Sequence, residues 1–240
     1  MTAFDSSPLR GGIIAAGQGT RLKADGYRSS KAMTAVGRRP LIDHALERFR
    51  AAGVRRVTII INEESDDCRR WLGRNAGDLD LDLVVRTTPS SYTSFEIVAG
   101  RLAGGPALIT TVDSILPIDD FRGFVRSAAA FPKDAVVLGV TTHVDDEKPL
   151  WATLDAQGRI RALGGKSGSH VTAGLYGLPP ARPSAQPANF ARLRDYLQWL
   201  AGRAPMYGVD LPIVFDIDRA RDVKEAEKSV LMHGREHVEQ

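Results

Sequence analysis

The 240-residue sequence predicts an α/β fold, a three-layer sandwich with helices on both faces of a central, mostly parallel, mixed sheet. Three observations carry that expectation. Short β-branched runs alternate with segments of helical apolar spacing through the first half of the chain. A small-residue loop, Gly17-Gln18-Gly19-Thr20-Arg21, directly follows the first apolar run. Composition is that of a globular protein, 43% hydrophobic and 25% charged, and no apolar run reaches the ~18 residues of a membrane span.

Element by element, Gly11–Ala16 reads as a first buried strand. Pro40–Ala52 carries Leu41, Ile42, Ala45, Leu46 and Phe49 on one helical face and stops at Gly53. Val54–Ile61 is β-branched and reads as the next strand. A charged helix over about Ser65–Arg74, a strand at Leu81–Thr87, a helix at Ser94–Leu102 and a strand at Ala107–Val112 continue the alternation. This rhythm implies parallel strands with both faces covered. Beyond Asp113 the spacing predicts a helix over Phe121–Phe131 and a strand over Ala135–Thr142. Trp151–Leu154 and Ile160–Leu163 flank Asp155-Ala156-Gln157-Gly158, the signature of a hairpin turn. A strand at Val171–Leu178, the proline-rich loop Pro179–Pro187, a helix at Phe190–Gly202, a strand at Ile213–Ile217 and a charged helix from Asp218 complete the chain. No internal repeat and no long linker divides it, so residues 1–240 are expected to form one domain with frayed ends at 1–9 and about 232–240.

Charge is nearly balanced, 32 basic against 29 acidic residues for a net +3, and the basic residues are interspersed rather than massed. A basic nucleic-acid face is therefore not expected. The first ten residues lack the apolar stretch of a secretory signal, and one cysteine, Cys68, offers neither a disulfide framework nor a cysteine zinc site. A cytoplasmic protein without a membrane partner is the expectation. Cys68 reads as an apolar filler, and His44, His143, His170, His233 and His237 show no ligand spacing and read as surface or tail residues.

Ligands of open α/β sheets bind beyond the carboxyl ends of the strands. Three such ends carry polar residues: the loop after Ala16, Asp113, and Asp216-Ile217-Asp218. Glycines let backbone N–H groups approach an anion, and Arg21 and Lys31 add cations from one long loop. Acidic strand ends facing a cationic loop suit Mg²⁺-assisted phosphate chemistry. Rival motifs fail on spacing. The nicotinamide fingerprint wants a small residue where Leu22 stands, and Gly165-Lys166-Ser167 lacks the earlier glycine of a P-loop, having Ile160 there. Plainer readings exist for several residues. Asp113 could end a strand or cap a helix, Asp218 could cap the last helix, and Lys166 could be a solvated loop lysine. Lys31, as a loop lysine, is expected to matter little for folding.

Taken together, Ala15-Ala16-Gly17-Gln18-Gly19-Thr20-Arg21-Leu22, Lys31 ten positions after Arg21, and Val36-Gly37-Arg38-Arg39-Pro40-Leu41-Ile42 resemble the N-terminal signature of the sugar-phosphate nucleotidyltransferase family. The resemblance extends along nearly the whole chain and implies a single-domain, Rossmann-like fold of the nucleotide-diphospho-sugar transferase type. It implies a Mg²⁺-dependent, pyrophosphorylase-type enzyme of sugar-nucleotide biosynthesis. Such an enzyme joins a nucleoside triphosphate to a sugar 1-phosphate or similar small phosphorylated metabolite, and pyrophosphate leaves. By the same resemblance Arg21 and Lys31 are catalytic, and Ala15, Ala16, Gly17, Gln18, Gly19 and Thr20 bind the nucleotide. Asp113, with Asp216 and Asp218, would hold the metal. Lys166 and the strand Thr172-Ala173-Gly174-Leu175-Tyr176 look like the acceptor-phosphate lysine and the acceptor-binding strand. The chain departs from the family pattern at Ser30, where proline is usual, and at Val112, where glycine is usual.

The segment Ser91-Tyr92-Thr93-Ser94-Phe95-Glu96 is similar to choline-phosphate-type cytidylyltransferases. Hydroxyls of Ser91, Thr93 and Ser94, with Gln18, could read a pyrimidine edge, so CTP ranks first, UTP second and GTP third. The acceptor and any homo-oligomer are left unspecified. Two alternatives stand beside this reading: a nucleotide-sugar-dependent glycosyltransferase of related fold, and a non-catalytic nucleotide-sensing protein.

Overall fold

A computed structural model describes residues 9–144, 147–183 and 190–236, with side chains to residue 229. In chain order the elements are β1 (Arg10–Ala15), α1 (Thr20–Ala24), a 3₁₀ turn (Lys31–Met33), β2 (Ala35–Val36), β3 (Arg39–Pro40), α2 (Leu41–Ala51), β4 (Arg56–Ile61), α3 (Asp66–Asn75), β5 (Asp80–Val85), α4 (Ser91–Arg101) and β6 (Ala107–Thr111). There follow β7 (Ser114–Ile115), α5 (Ile118–Ala130), β8 (Val136–Thr141), β9 (Trp151–Leu154), β10 (Ile160–Leu163), β11 (His170–Leu178), α6 (Leu193–Ala201), β12 (Met206–Asp210), β13 (Phe215–Asp216) and α7 (Ala220–Glu236).

The main sheet runs β10-β9-β11-β6-β1-β4-β5, with β8 also paired to β11 and β12 to β8. Its first-laid half, β6-β1-β4-β5, is parallel throughout. β11 then enters antiparallel beside β6, and β8 antiparallel beside β11, so β8 points the same way as β1 and β6. The carboxyl ends of β1, β4, β6 and β8 therefore share one edge.

Two apolar cores line the two faces. On one, Leu41, Leu46 and Phe49 of α2 pack with Phe121 and Phe124 of α5, and Val223 and Ala226 of α7 close the layer. On the other, Phe95 and Val98 of α4 pack with Tyr196, Leu197 and Leu200 of α6. The tight approach explains the paired glycines that start β1. A Cβ on Gly11 would lie 2.8 Å from the Phe49 ring, and one on Gly12 would lie 2.5 Å from Val98. Side chains there would push both helix layers off the central strand.

The βαβ alternation of the first half is as expected, but several details differ. Thr20–Ala24 is a short helix that the sequence reading leaves as loop, and α4 begins at Ser91, three residues early, because the Ser90 side chain accepts from the Thr93 N–H at 3.1 Å and caps it. β12 has no counterpart in the expected elements; Met206-Tyr207-Gly208-Val209-Asp210 lacks a β-branched run and gains strand form from pairing with β8. Ile213–Ile217 is not a strand of the main sheet: Phe215 and Asp216 pair antiparallel with Ile115 and Ser114 in a two-stranded ribbon. α7 ends at Glu236, and 1–8, 184–187 of the proline-rich loop and 237–240 lie outside the described residues. No helix among the described residues is long and apolar enough to cross a membrane.

Candidate active site

The loop after β1 is shaped around Lys31. Gly19 sits at φ 62°, the left-handed region open to glycine, and a Cβ there would lie 3.0 Å from the Lys31 Cβ. Gly17 has open space where a side chain would be, leaving its backbone accessible, and Ala15 and Ala16 are buried behind it. Thr20 and Gln18 are exposed. Asn62, at the end of β4, donates to the Ala16 carbonyl at 3.3 Å and ties the two strand ends together.

Lys31 itself is 8% exposed, which overturns its reading as an ordinary loop lysine. The 3₁₀ turn folds it inward beneath the glycine loop. Its ammonium donates to Asp113 Oδ2 at 2.5 Å and to Asp218 Oδ1. Arg21 Nη1 donates to the other oxygen of Asp218 at 2.7 Å. Burial opposes the charge on Lys31, but Asp113, Asp216 and Asp218 more than offset it and hold the ammonium charged well above its ordinary value. Burial likewise opposes ionisation of Asp113, yet Lys31 and a hydrogen bond from Thr111 keep its carboxyl below the usual range.

The third carboxylate arrives on the β7–β13 ribbon, which sets Asp216 opposite Ser114, while the Ile217 N–H donates to the Asp113 carbonyl at 3.1 Å. One carboxylate oxygen each from Asp113, Asp216 and Asp218 lies within 4.8 Å of the others. Lys31 bridges Asp113 and Asp218, and Arg21 holds the other oxygen of Asp218. Hard oxygen donors in such a group fit Mg²⁺, and the Lys31 ammonium among them marks the cluster as a cation cradle. The cap of α7 is built from other residues. Asp222 accepts from the N–H groups of Asp218 and Arg219 at 2.9 and 2.7 Å, and Asp25 accepts from Ala220 at 2.9 Å. Asp218 is thereby left to hold the cations, which disposes of the helix-cap alternative.

A cavity of about 560 Å³ opens from this cluster. Thr111, Ser114, Ala173 and Gly174 are among the residues that line it. Gly174 sits at φ 72° in a bulge of β11, and a Cβ there would lie 2.1 Å from Ser114 Oγ and 2.5 Å from Thr111 Oγ1. Ser91 also lines the cavity, and its Oγ accepts from the Leu193 N–H at 3.0 Å.

Other expected site residues lie elsewhere. Ser94 is buried, its hydroxyl bonded to Thr88 Oγ1 at 2.6 Å, and the Thr93 hydroxyl is bonded to Ser90 at 3.0 Å. Both serve the start of α4 rather than facing a ligand. Lys166 is exposed between β10 and β11 and does not line the cavity. His143, read from sequence as a surface residue, does line it, as do Lys148, Arg192 and Arg194. Those four carry no motif; the one hint is two arginines flanking Leu193 at the start of a helix. Cys68 is fully buried, and burial pushes its thiol up to about 12.

The fold superposes on the inositol-1-phosphate CTP transferase from T. maritima with a TM-score of 0.78, over 94% of this chain and 97% of that chain, at 18% identity. In sequence, a glucose-1-phosphate thymidylyltransferase of an Actinoplanes species is 32% identical over 158 residues, 65% of this chain and 52% of that protein. One from Streptomyces antibioticus is 26% identical over 153 residues, 63% of this chain and 43% of that protein. The chain thus spans about half the length of these curated relatives. The family model described as the MobA-like NTP transferase domain matches residues 11–176, beginning at β1 and ending inside β11, and the chain belongs to that family.

Proposed function

We propose that the protein is a nucleotidyltransferase that joins a nucleoside triphosphate to a small phosphorylated metabolite and releases pyrophosphate. The observation that carries this reading is the convergence of Arg21, Lys31, Asp113, Asp216 and Asp218 at one sheet edge, beside an open glycine loop and at the end of a cavity. A glycosyltransferase would leave the Arg21–Lys31 pair without a task.

In the proposed reaction an acceptor phosphate oxygen attacks the α-phosphorus in line and the pyrophosphate departs. The protein need supply little covalent chemistry, because the obstacle is bringing two anionic phosphates together. The exposed backbone of Gly17 lies where phosphate oxygens could reach its N–H group. Arg21, reaching in from α1, would grip the departing phosphates with its fork of donors. Lys31 would offset charge growing around the α-phosphorus; its neighbours keep it protonated through the neutral range. Asp218 aims both cations. Mg²⁺, held by Asp113, Asp216 and Asp218, would supply charge neutralisation of the triphosphate. No general base is required, since an acceptor phosphate is already ionised at neutral pH.

For the base we favour CTP, then UTP, then GTP. The Ser91 hydroxyl, which lines the cavity, supports the ranking, while Thr93 and Ser94 no longer do. A pyrophosphate-release panel of four nucleoside triphosphates, with Mg²⁺, against sugar 1-phosphates and other small phosphates tests the reaction. Release that requires both substrates is the expected result; none with any pairing, alongside transfer from a nucleotide sugar, would overturn it. Thermal shift with each triphosphate tests the base, a ligand at 100 times its Kd stabilising by ~2.7 kcal/mol.

A further inference from the structure

Lys31 is only as well placed as the turn that carries it. Ser30 leads into that turn at φ −59° and ψ 154°, and its carbonyl accepts from the Met33 N–H at 2.9 Å. The Thr34 N–H closes the next step on the Lys31 carbonyl at 3.0 Å. A Cβ on Gly19 would lie 3.0 Å from the Lys31 Cβ, so the Lys31 backbone has little room to shift.

A 3₁₀ turn of three residues has poor hydrogen-bond geometry and does not by itself fix its own entrance. The Ser30 N–H donates outside the turn, to Asp67 Oδ2 at 2.8 Å, from a residue 37 positions away. Asp67 lies in the first turn of α3 beside Cys68, which is fully buried and anchors that helix in the core. Its other oxygen accepts from the Cys68 N–H at 2.7 Å, so both carboxylate oxygens are engaged. Burial opposes ionisation of Asp67, yet hydrogen bonds from Ser30 and Cys68 keep its carboxyl below the usual range. Asp66, the preceding residue, is exposed. One acid of the pair meets solvent and the other grips the loop.

The backbone angle at Ser30 gives this bond its meaning. A φ of −59° lies inside the narrow range to which a proline ring locks the chain. Ser30 also stands where the family pattern has proline, which carries no N–H to donate. Serine leaves the angle free, and a charge-assisted bond to a core-anchored helix fixes it instead.

We infer that Asp67 is a positioning residue: by holding the Ser30 N–H it keeps the Lys31 turn in the conformation that a proline ring would impose. In this role it acts through Lys31 rather than on a substrate. Its consequence for catalysis rests on the nucleotidyltransferase reading.

The test is a pair of double-mutant cycles read by pyrophosphate release, with the triphosphate and acceptor that the wild-type protein turns over. Asp67→Ala should lower kcat ~10-fold with a smaller change in KM for the triphosphate, because a misplaced charge stabiliser is felt most in the transition state. In the Ser30→Pro background the same substitution should cost less than ~3-fold, since the ring then fixes the turn. In the Lys31→Ala background it should also cost less than ~3-fold, as nothing is left to position. Ser30→Pro cannot repair the start of α3, so a role of Asp67 in that helix alone would leave the loss unchanged. A full loss retained in either background overturns the inference. Should the Ser30→Pro protein fail to fold, the Lys31→Ala background decides.

Amide hydrogen exchange supplies a readout without turnover. Asp67→Ala should speed exchange at Met33 and Thr34 ~10-fold while the β4 amides keep their rates. Unaltered exchange at both amides overturns the inference even where turnover falls. A wild-type protein that releases no pyrophosphate with any pairing sinks the nucleotidyltransferase reading instead, and the exchange rates then decide whether Asp67 holds the turn.

Discussion

Two cations are buried among the described residues, and they are buried for opposite reasons. Lys31 lies under the glycine loop with Asp113 and Asp218 in hydrogen-bonding contact and Asp216 nearby. Arg48, 2% exposed, lies between α2 and α5 over the Phe121 ring at 5.8 Å, and its Nε and Nη2 have no hydrogen-bond partner among the described residues. Carboxylates raise the proton affinity of Lys31. Burial drops that of Arg48 to about 10, with Glu47 opposing only in part. Depth alone does not mark a functional charge. What marks it is a surplus of opposite charge around it, assembled from segments far apart in the sequence.

The largest expected effects fall on the surplus. Lys31→Ala should lower turnover ~10²-fold or more, the scale of one lost charge stabiliser, and Asp113→Asn should do at least as much. Lys31→Ala should also destabilise the metal-free protein, because Asp113 and Asp218 then lose the ammonium they share, and Mg²⁺ should restore part of the loss. Melting curves with EDTA and with Mg²⁺ check this; wild-type stability of the variant in EDTA would show that Lys31 is not neutralising the cluster.

Arg48 should behave in the reverse manner. Arg48→Met keeps volume and removes a charge that its surroundings do not satisfy, so turnover should be unchanged and stability equal or higher, by up to ~1 kcal/mol or more. A fall of several kcal/mol on urea denaturation would mean that Arg48 has the partners Lys31 has. The caps provide a smaller contrast. Asp222→Ala should cost ~1 kcal/mol of stability and little turnover, whereas Asp218→Asn should cost turnover, since it holds both Arg21 and Lys31.

The same contrast explains what could be read from the sequence. The parallel half of the fold was legible because periodicity is a property of short segments, and Arg21, Lys31 and Asp113 were singled out through a family resemblance carried by short motifs. The β7–β13 ribbon was not, since two-residue strands leave no pattern and Asp216 meets Ser114 across about a hundred residues. Burial of Lys31 was hidden for a related reason. Lysine reads as solvated unless its partners are known, and Asp218 lies 187 positions away. Ser90 illustrates the short-range case: Ser94 and Thr93 looked like base-reading hydroxyls, but Ser90 three residues before Thr93 signals a cap that takes one of them. Arg192 and Arg194 matched no motif because their place on the cavity wall comes from the packing of α6 against the segment before β9, where Arg194 donates to the Lys148 carbonyl.

The smallest effect is the sign of the alkaline slope. Arg48 has its folded value lowered from the ordinary arginine range to about 10, so above that pH the unfolded chain binds more protons and stability rises with pH as the buried charge is shed. Lys31 has its folded value raised above 10.5, so its contribution is complete below that pH and is lost as pH rises past it. Urea midpoints of wild type, Arg48→Met and Lys31→Met in EDTA, at about pH 8 and about pH 11, compare the two directly. The advantage of Arg48→Met over wild type should shrink towards pH 11, and the deficit of Lys31→Met should shrink from the other side. Titrations common to all three proteins cancel in these differences. A gap for Arg48→Met that stays constant to pH 11 would mean that Arg48 keeps its proton as firmly as Lys31 does, and the contrast between the two buried cations would fail.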